Sequence, residues 1–407
     1  MSTTQQVVII GGGLAGAKTA EALREQGHTG TITLVAAEPH LPYECPPLSK
    51  GYLAGSDPFD DAVVHPAEWY SEHDVTLRQG VRATAVDAGA HTVTVDDGTT
   101  LPYDKLVLAT GSEVRRLPLE GADAANVHYL RTVDDADAIR ATFGEGKHLV
   151  VIGGGWIGLE VAATARTAGT TVTVLEGGTL PLLRVLGERV AQVFAGLHTS
   201  HGVDLRTGAH VTGITTDQGR ATGVQLEGGE TIPTDAIVIG IGVTPNVALA
   251  EAAGLAIDSG VLVDGSLRSS DPDVYAVGDI ANHLHPVLGH RIRVEHWATA
   301  MHQPVAAAAS LLGGDNEYRD LPYFFTDQYD LGCEYLGHAG ADDRVVVRGD
   351  LDAREFVAFW LDEGSRILAA MNVNIWDVLE EIGPLISAGK PVDPARLADP
   401  SVAYSEL

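Results

Sequence analysis

Gln6-Val7-Val8-Ile9-Ile10-Gly11-Gly12-Gly13-Leu14-Ala15-Gly16 joins a β-branched apolar run of strand length to a cluster of glycines. Helical spacing follows through Ala17, Ala20 and Leu23. Glycines at 11, 13 and 16 fit the G-x-G-x-x-G pattern. Its first glycine allows a tight turn, its second lets backbone approach a pyrophosphate, and its third lets helix and strand pack closely. The N–H groups at the helix start would then face phosphates, with the helix dipole favouring their charge. A second apolar run, Thr31 to Ala37, leads to Glu38. An acid about 20 residues past such glycines is where ribose hydroxyls are gripped.

The pattern occurs twice. His148-Leu149-Val150-Val151-Ile152 runs into Gly153-Gly154-Gly155-Trp156-Ile157-Gly158, and Thr171 to Leu175 ends at Glu176. Two such βαβ units predict two bound dinucleotides, one of them a flavin. After Glu176 comes Gly177-Gly178-Thr179, with no basic cluster. A carboxylate there accepts from both ribose hydroxyls and repels a 2′-phosphate, which favours NAD over NADP. Arg184 is the nearest arginine.

With 407 residues the chain is too long for one ordinary core, so two to three domains are expected. A hydrophobic content of 45% with 20% charged residues is that of a globular protein, and the apolar runs are too short to span a membrane. Met1 to Gln6 carries no basic region and no export-type apolar run, so the cytoplasm is expected. The two cysteines, Cys45 and Cys333, form no C-x-x-C pair, which argues against a zinc, iron–sulfur or dithiol centre; no metal site is expected. The formal net charge of −29 disfavours nucleic acid and anionic membranes as partners.

Between and beyond the two units the chain changes texture. Pro39 to Leu53 contains Pro42, Pro46 and Pro47 followed by Lys50, a stiff edge fit for a planar ring or a surface turn. Residues 75–112 alternate like strands, with Asp97-Gly98 as a hairpin turn. Tyr275-Ala276-Val277-Gly278-Asp279 puts a carboxylate at a strand's carboxyl end, where ligands sit in open α/β sheets. From Leu321 aromatic strands lead to a terminal helix. The architecture expected is α/β, two Rossmann-like dinucleotide-binding domains plus a C-terminal α+β domain.

Over nearly its whole length the sequence resembles the FAD-dependent, NADH-using ferredoxin reductases of bacterial oxygenase systems, within the glutathione-reductase-like superfamily. The resemblance rests on the two glycine motifs, Pro46-Pro47-Leu48-Ser49-Lys50, Leu106 to Gly111, Gly158-Leu159-Glu160, Gly242 to Asn246, Tyr275 to Asp279 and Glu295-His296-Trp297. It implies an FAD-binding domain of residues 1–113 and 243–320, an NAD-binding domain of 114–242 and an interface domain of 321–407. Gly11, Gly13, Gly16 and Glu38 would hold the adenosine half of FAD, with Leu14 and Ala15 in the same turn. Arg82, Ala109, Thr110, Gly111, Arg115 and Gly242 would add cofactor contacts. Asp279 would bind the ribityl chain, and Trp297, with Glu295 and His296, would lie at the flavin ring. Gly153, Gly155, Gly158 and Glu176 would hold NADH, with Trp156, Ile157 and Arg184 nearby. Lys50 would stabilise negative charge on the reduced flavin, and Glu160 would fix Lys50.

The activity implied is electron transfer from NADH through FAD to a small iron–sulfur protein that feeds a monooxygenase or dioxygenase. An acidic ferredoxin would need a basic patch on this acidic chain; the better candidates are Arg291 and Arg293, with Arg319 at the domain boundary and Arg344 and Arg348 after them. The sequence departs from the family pattern at Cys45, where an arginine is usual before Pro-Pro-Leu-Ser-Lys, and at Trp156. Cys45 keeps a second reading open, a single-cysteine NADH peroxidase, oxidase or disulfide reductase. A slow-reducing signalling flavoprotein is a third. Oligomeric state, monomer or homodimer, is not legible.

Overall fold

The computed structural model describes residues 5–340 and 342–407. Residues 1–4, part of the Met1–Gln6 stretch in which no export signal is expected, lie outside the described residues. The chain divides into two compact units. The first comprises residues 1–45, 59–113 and 244–322; the second comprises 46–58, 114–243 and 323–407.

The first unit is built on a five-stranded parallel sheet. Its strands run in the order Val274–Ala276, Lys105–Leu108, Val7–Ile10, Ile32–Ala36, Val75–Gln79. Strands covered on both faces read as continuous apolar runs, and Val7–Ile10 is buried at all four positions. Ile9, Leu23, Leu34 and Leu106 are fully buried, each contributing about 2 kcal/mol. The helix Leu14–Glu25 packs on the helix Trp297–Leu311. Asp97-Gly98 turns between Thr92–Val95 and Thr100–Pro102, as its sequence predicts.

The second unit repeats the plan. Its parallel sheet runs Asp204–Thr207, Thr171–Glu176, His148–Ile152, Ala236–Ile239, Val127–His128. It also contains a five-stranded antiparallel sheet, in the order Tyr323–Gln328, Leu331–Gly337, Ile367–Val373, Glu355–Leu361, Arg344–Asp350. The proline-rich stretch forms a short 3-10 turn, Pro46–Ser49, followed by the helical turn Gly51–Ala54. Residues 46–58 are tied into this unit by side chains. Tyr52 Oη donates to Asp137 Oδ1 at 2.8 Å, and Thr164 Oγ1 donates to the Ser49 carbonyl at 3.0 Å. An 18-residue helix, Leu183–Ser200, broken at Gly187, follows the second glycine-rich unit. Among the described residues, no helix is long and apolar enough to cross a membrane.

Candidate cofactor sites and the Lys50–Glu160 pair

Each glycine trio divides its labour in the same way. A methyl group at Gly11 would lie 2.0 Å from the Ala109 carbonyl oxygen, and one at Gly16 would lie 1.9 Å from the Gly11 carbonyl oxygen. At Gly13 it would meet no protein atom within 4 Å. In the second unit Gly153 would strike the Gly240 carbonyl oxygen at 2.3 Å and Gly158 the Gly153 carbonyl oxygen at 2.1 Å, while Gly155 again faces open space. Gly11 (φ 124°) and Gly153 (φ 107°) turn through backbone conformations that side chains resist. The outer glycines are therefore required by packing. The middle ones border a free volume in front of a helix N-terminus that has no side-chain cap. First-turn N–H groups there have no partner within the helix, and a pyrophosphate fits such a cradle.

The first unit also holds further predicted residues, some of them beside its cradle. A methyl at Gly278 would lie 3.2 Å from Ala15 Cβ, so the Gly278-Asp279 turn abuts the start of the helix Leu14–Glu25. The Gly278 N–H is held by Gln303 Oε1 at 2.8 Å. Thr110 Oγ1 donates to the Asn246 carbonyl at 2.8 Å, and Asn246 Nδ2 returns a bond to the Thr110 carbonyl at 3.0 Å, which locks the turn at Thr110-Gly111. Glu38 is exposed and accepts from Tyr43 Oη at 2.6 Å. Trp297 Nε1 donates to Glu44 Oε2 at 2.7 Å. His296 stands at the N-terminal cap position of the helix that Trp297 begins, without a capping bond from its side chain. Arg82 is exposed, on the link between Val75–Gln79 and Ala83–Asp87.

In the second unit both oxygens of Glu176 accept backbone N–H groups, from Gly154 at 2.8 Å and Gly178 at 2.6 Å. Arg184 is exposed. The Arg115 N–H donates to the Gly242 carbonyl at 2.9 Å, and Arg115 Nε donates to the Val243 carbonyl at 2.9 Å. Trp156 packs edge-on against Phe194, with ring centroids 5.4 Å apart, and lies 4.9 Å from Phe324, while Ile157 beside it is 45% exposed.

Lys50 and Glu160 are paired, Nζ to Oε1 at 2.9 Å. Glu160 is buried and accepts two hydroxyls besides, from Ser49 Oγ to Oε2 at 2.5 Å and from Thr326 Oγ1 to Oε1 at 2.5 Å. A buried charge is tolerated when it is paired and its lone pairs are used, and three donors meet that condition. Lys50 Nζ also lies 5.4 Å from the centre of the Phe325 ring. Asp327 is close to both members of the pair, and burial raises its pKa above the usual carboxylate range. Sequence reasoning missed Thr326, because it lies 166 positions from Glu160 and no spacing rule joins them.

The first two of the arginines expected to meet a partner are engaged within the first unit. Arg291 Nη1 donates to the carbonyls of Val263 at 2.8 Å and Asn282 at 2.9 Å. Arg293 Nη1 donates to the Asp279 carbonyl at 3.1 Å and to Glu295 Oε1 at 2.7 Å. Cys45 is exposed and Cys333 buried, and neither is in a disulfide. Among the described residues, no three His, Cys, Asp or Glu side chains are placed to hold a metal ion.

Residues 5–304 match the pyridine nucleotide-disulphide oxidoreductase family, and residues 323–407 match the reductase C-terminal family. The chain belongs to the pyridine nucleotide-disulphide oxidoreductases, flavoproteins that use FAD and a pyridine nucleotide. Among its relatives are ferredoxin reductases of oxygenase systems. It is 43% identical over 397 residues to the ferredoxin–NAD(+) reductase component of the anthranilate 1,2-dioxygenase system of Burkholderia cepacia, covering 97% of each chain. It is 39% identical to putidaredoxin reductase of Pseudomonas putida, covering all of this chain and 97% of the other. The crystal structure of the covalent putidaredoxin reductase–putidaredoxin complex matches with a TM-score of 0.95 at 39% identity, covering 99% of this chain and 97% of that one. The ferredoxin reductase for the CYP199A2 system of Rhodopseudomonas palustris matches with a TM-score of 0.94 at 35% identity, covering 98% and 99%.

Proposed function

We propose that this chain is an NADH-dependent, FAD-containing reductase that passes electrons to a small ferredoxin-type iron–sulfur protein serving an oxygenase. The observation that carries the proposal is the repeated glycine cradle, each followed by an acid, with a lysine paired to a buried glutamate in the same chain. The cradle of residues 11–16 with Glu38 takes FAD, together with Thr110, Gly111, Asp279 and Trp297. The cradle of residues 153–158 with Glu176 takes NADH. Domains of 1–113 with 243–320 for FAD, 114–242 for NAD and 321–407 for the interface follow from that assignment.

When bound, FAD supplies the redox chemistry, accepting two electrons from the dihydronicotinamide and returning them singly. The protein's part is binding, alignment and charge. Main-chain N–H groups would hold the pyrophosphates, and Glu38 and Glu176 would orient the riboses. Lys50 would place a positive charge near the isoalloxazine, and Glu160, paired with it at 2.9 Å, would fix its direction. No side chain need act as nucleophile. With both cysteines free and an NADH-consuming reaction, the cytoplasm is the compartment proposed.

The test is reduction of cytochrome c by NADH with and without candidate ferredoxins, with cofactor released by heat and identified by chromatography. Recovery of FMN alone, or cytochrome c reduction indifferent to every ferredoxin supplied, overturns the reading. Turnover abolished by alkylating Cys45 would favour the single-cysteine class instead.

A further inference from the structure

The strand Tyr323–Gln328 presents Phe324, Thr326 and Gln328 on one face, as its period of two requires. Each finds a partner in the same unit. Phe324 packs on Trp156, Thr326 bonds Glu160, and Gln328 bonds His198 on the helix Leu183–Ser200. His198, Gln328, Thr326 and Glu160 are exposed by 0%, 1%, 1% and 3%.

The bonds join them in one line. His198 Nε2 lies 2.8 Å from Gln328 Oε1, Gln328 Nε2 lies 3.2 Å from Thr326 Oγ1, and Thr326 Oγ1 lies 2.5 Å from Glu160 Oε1. Chemistry fixes the direction. Burial pushes the pKa of His198 down to about 4, so its ring is neutral near pH 7. The amide oxygen of Gln328 can only accept, so Nε2 of His198 carries the ring's proton. The amide nitrogen of Gln328 can only donate, so the Thr326 hydroxyl receives there and must spend its own proton on Glu160. Every donor therefore points toward Glu160, and bonds aligned in this way reinforce one another.

The far end is anchored. Tyr329 in the hairpin turn stacks on His201 at 3.8 Å and meets His198 edge-on at 5.3 Å. Without His198, the Gln328 amide can invert and present its oxygen to Thr326. The Thr326 hydroxyl would then donate to Gln328 and leave Glu160 with one donor fewer.

We propose that His198 and Gln328 are positioning residues that act through Thr326 to fix the Glu160 carboxylate, and so the direction of the Lys50 ammonium group. This rests on the assignment of Lys50 to the flavin, and the experiment separates the two. In the FAD-loaded protein, the limiting rate of flavin reduction at saturating NADH, the NADH concentration giving half that rate, and the flavin midpoint potential are measured for H198L, Q328L, H198Q, E160Q and K50M. The glutamine in H198Q can offer an N–H where Nε2 offered one.

H198L and Q328L are expected to lower the limiting rate by about tenfold, with the half-saturating NADH concentration within about twofold of wild type. Their potentials are expected to move in the direction of K50M, and H198Q is expected to recover most of the rate. Adding H198L to E160Q should cost nothing further, because both act on one group. An unchanged rate and potential in H198L and Q328L, with K50M impaired, overturns the positioning role alone. Multiplying effects of H198L and E160Q do the same. If K50M itself leaves rate and potential unchanged, the assignment of Lys50 to the flavin is wrong and the inference falls with it. Should H198L fail to fold, Q328L and the pair Q328L/E160Q carry the same readouts.

Discussion

Glu176 Oε2 accepts the Gly154 N–H at 2.8 Å, so the acid that ends the second strand of the nucleotide-binding unit is bound back onto the glycine turn. Its other oxygen accepts from Gly178 at 2.6 Å. The negative charge is thus held in place and cannot swing away from an incoming 2′-phosphate. NADPH should be excluded by standing repulsion, while the carboxylate lone pairs still free would serve the two ribose hydroxyls of NADH. Glu176→Gln is expected to raise kcat/KM for NADPH by about tenfold and lower that for NADH by several-fold, a differential effect of 1–3 kcal/mol (about the value of one charged hydrogen bond). Steady-state kinetics with both nucleotides measures it. Equal loss for both would show that the carboxylate supports the turn rather than selecting the ribose.

Trp297 and Glu44 form a second fixed pair, at 2.7 Å. An indole N–H bound to a carboxylate has a set ring plane, and a flavin edge resting on that ring would feel its loss. Glu44→Leu is expected to raise the FAD dissociation constant by about tenfold, as expected from one charge-assisted hydrogen bond. Glu44→Gln keeps an acceptor oxygen and should stay near wild type. Flavin retained after ultrafiltration reads both. Indifference of FAD retention to Glu44→Leu would place Trp297 away from the cofactor.

Arg291 and Arg293 were expected to form a docking patch, but the structure shows what their guanidinium groups hold. Arg293 ties the carbonyl of Asp279 to Glu295, so Arg293→Glu sets two carboxylates against each other beside the Asp279 turn. The expected result is a loss of about 1–3 kcal/mol in stability and a parallel fall in NADH-driven reduction of ferricyanide and of ferredoxin. Arg319 is a cleaner probe of docking, being 64% exposed and bonded to Glu317 alone among the contacts described. Arg319→Glu should slow only the ferredoxin-dependent rate, and only at low salt, where the Debye length is long. A selective loss of ferredoxin reduction in Arg293→Glu, at unchanged melting temperature, would restore the docking role.

The sheets and the glycine turns were legible because their signals are local. An apolar run, three glycines and a terminal acid lie within one βαβ unit, and short-range sterics set what they form. Lys50 and Glu160 were legible only through the family resemblance, since the residues between them carry no period. What surrounds that pair was not legible. Ser49, His198 and the pair Thr326 and Gln328 come from three separate elements and meet only after folding. Polar residues on a strand's buried face look like interruptions of an apolar pattern until their partners are known. The use of Arg291 and Arg293 as backbone ties was hidden for the same reason, because a surface arginine and a structural one are spelled alike.

The buried histidines make the last prediction. His198 and His283 are each pushed down to about 4, in both cases first by burial. His201 further lowers His198, while His285 and Arg291 further lower His283. An unfolded chain protonates histidine near 6.5. Between pH 6.5 and about 4 the unfolded state therefore binds protons that the folded state refuses, and stability rises with pH across that window. The contribution is fully present above pH 6.5 and is lost as pH falls toward 4. At pH 5 each histidine has cost about 2 kcal/mol, at 1.36 kcal/mol per pH unit. That part of the window lies above ordinary aspartate and glutamate titration, so the histidines dominate the slope. His198→Gln should flatten the fall in unfolding free energy between pH 7 and pH 5 by about 2 kcal/mol, and His283→Gln should do so independently. Denaturant titrations at the two pH values measure the slopes. A His198→Gln slope equal to that of wild type would mean that the folded state takes up a proton at His198 as readily as the unfolded chain does.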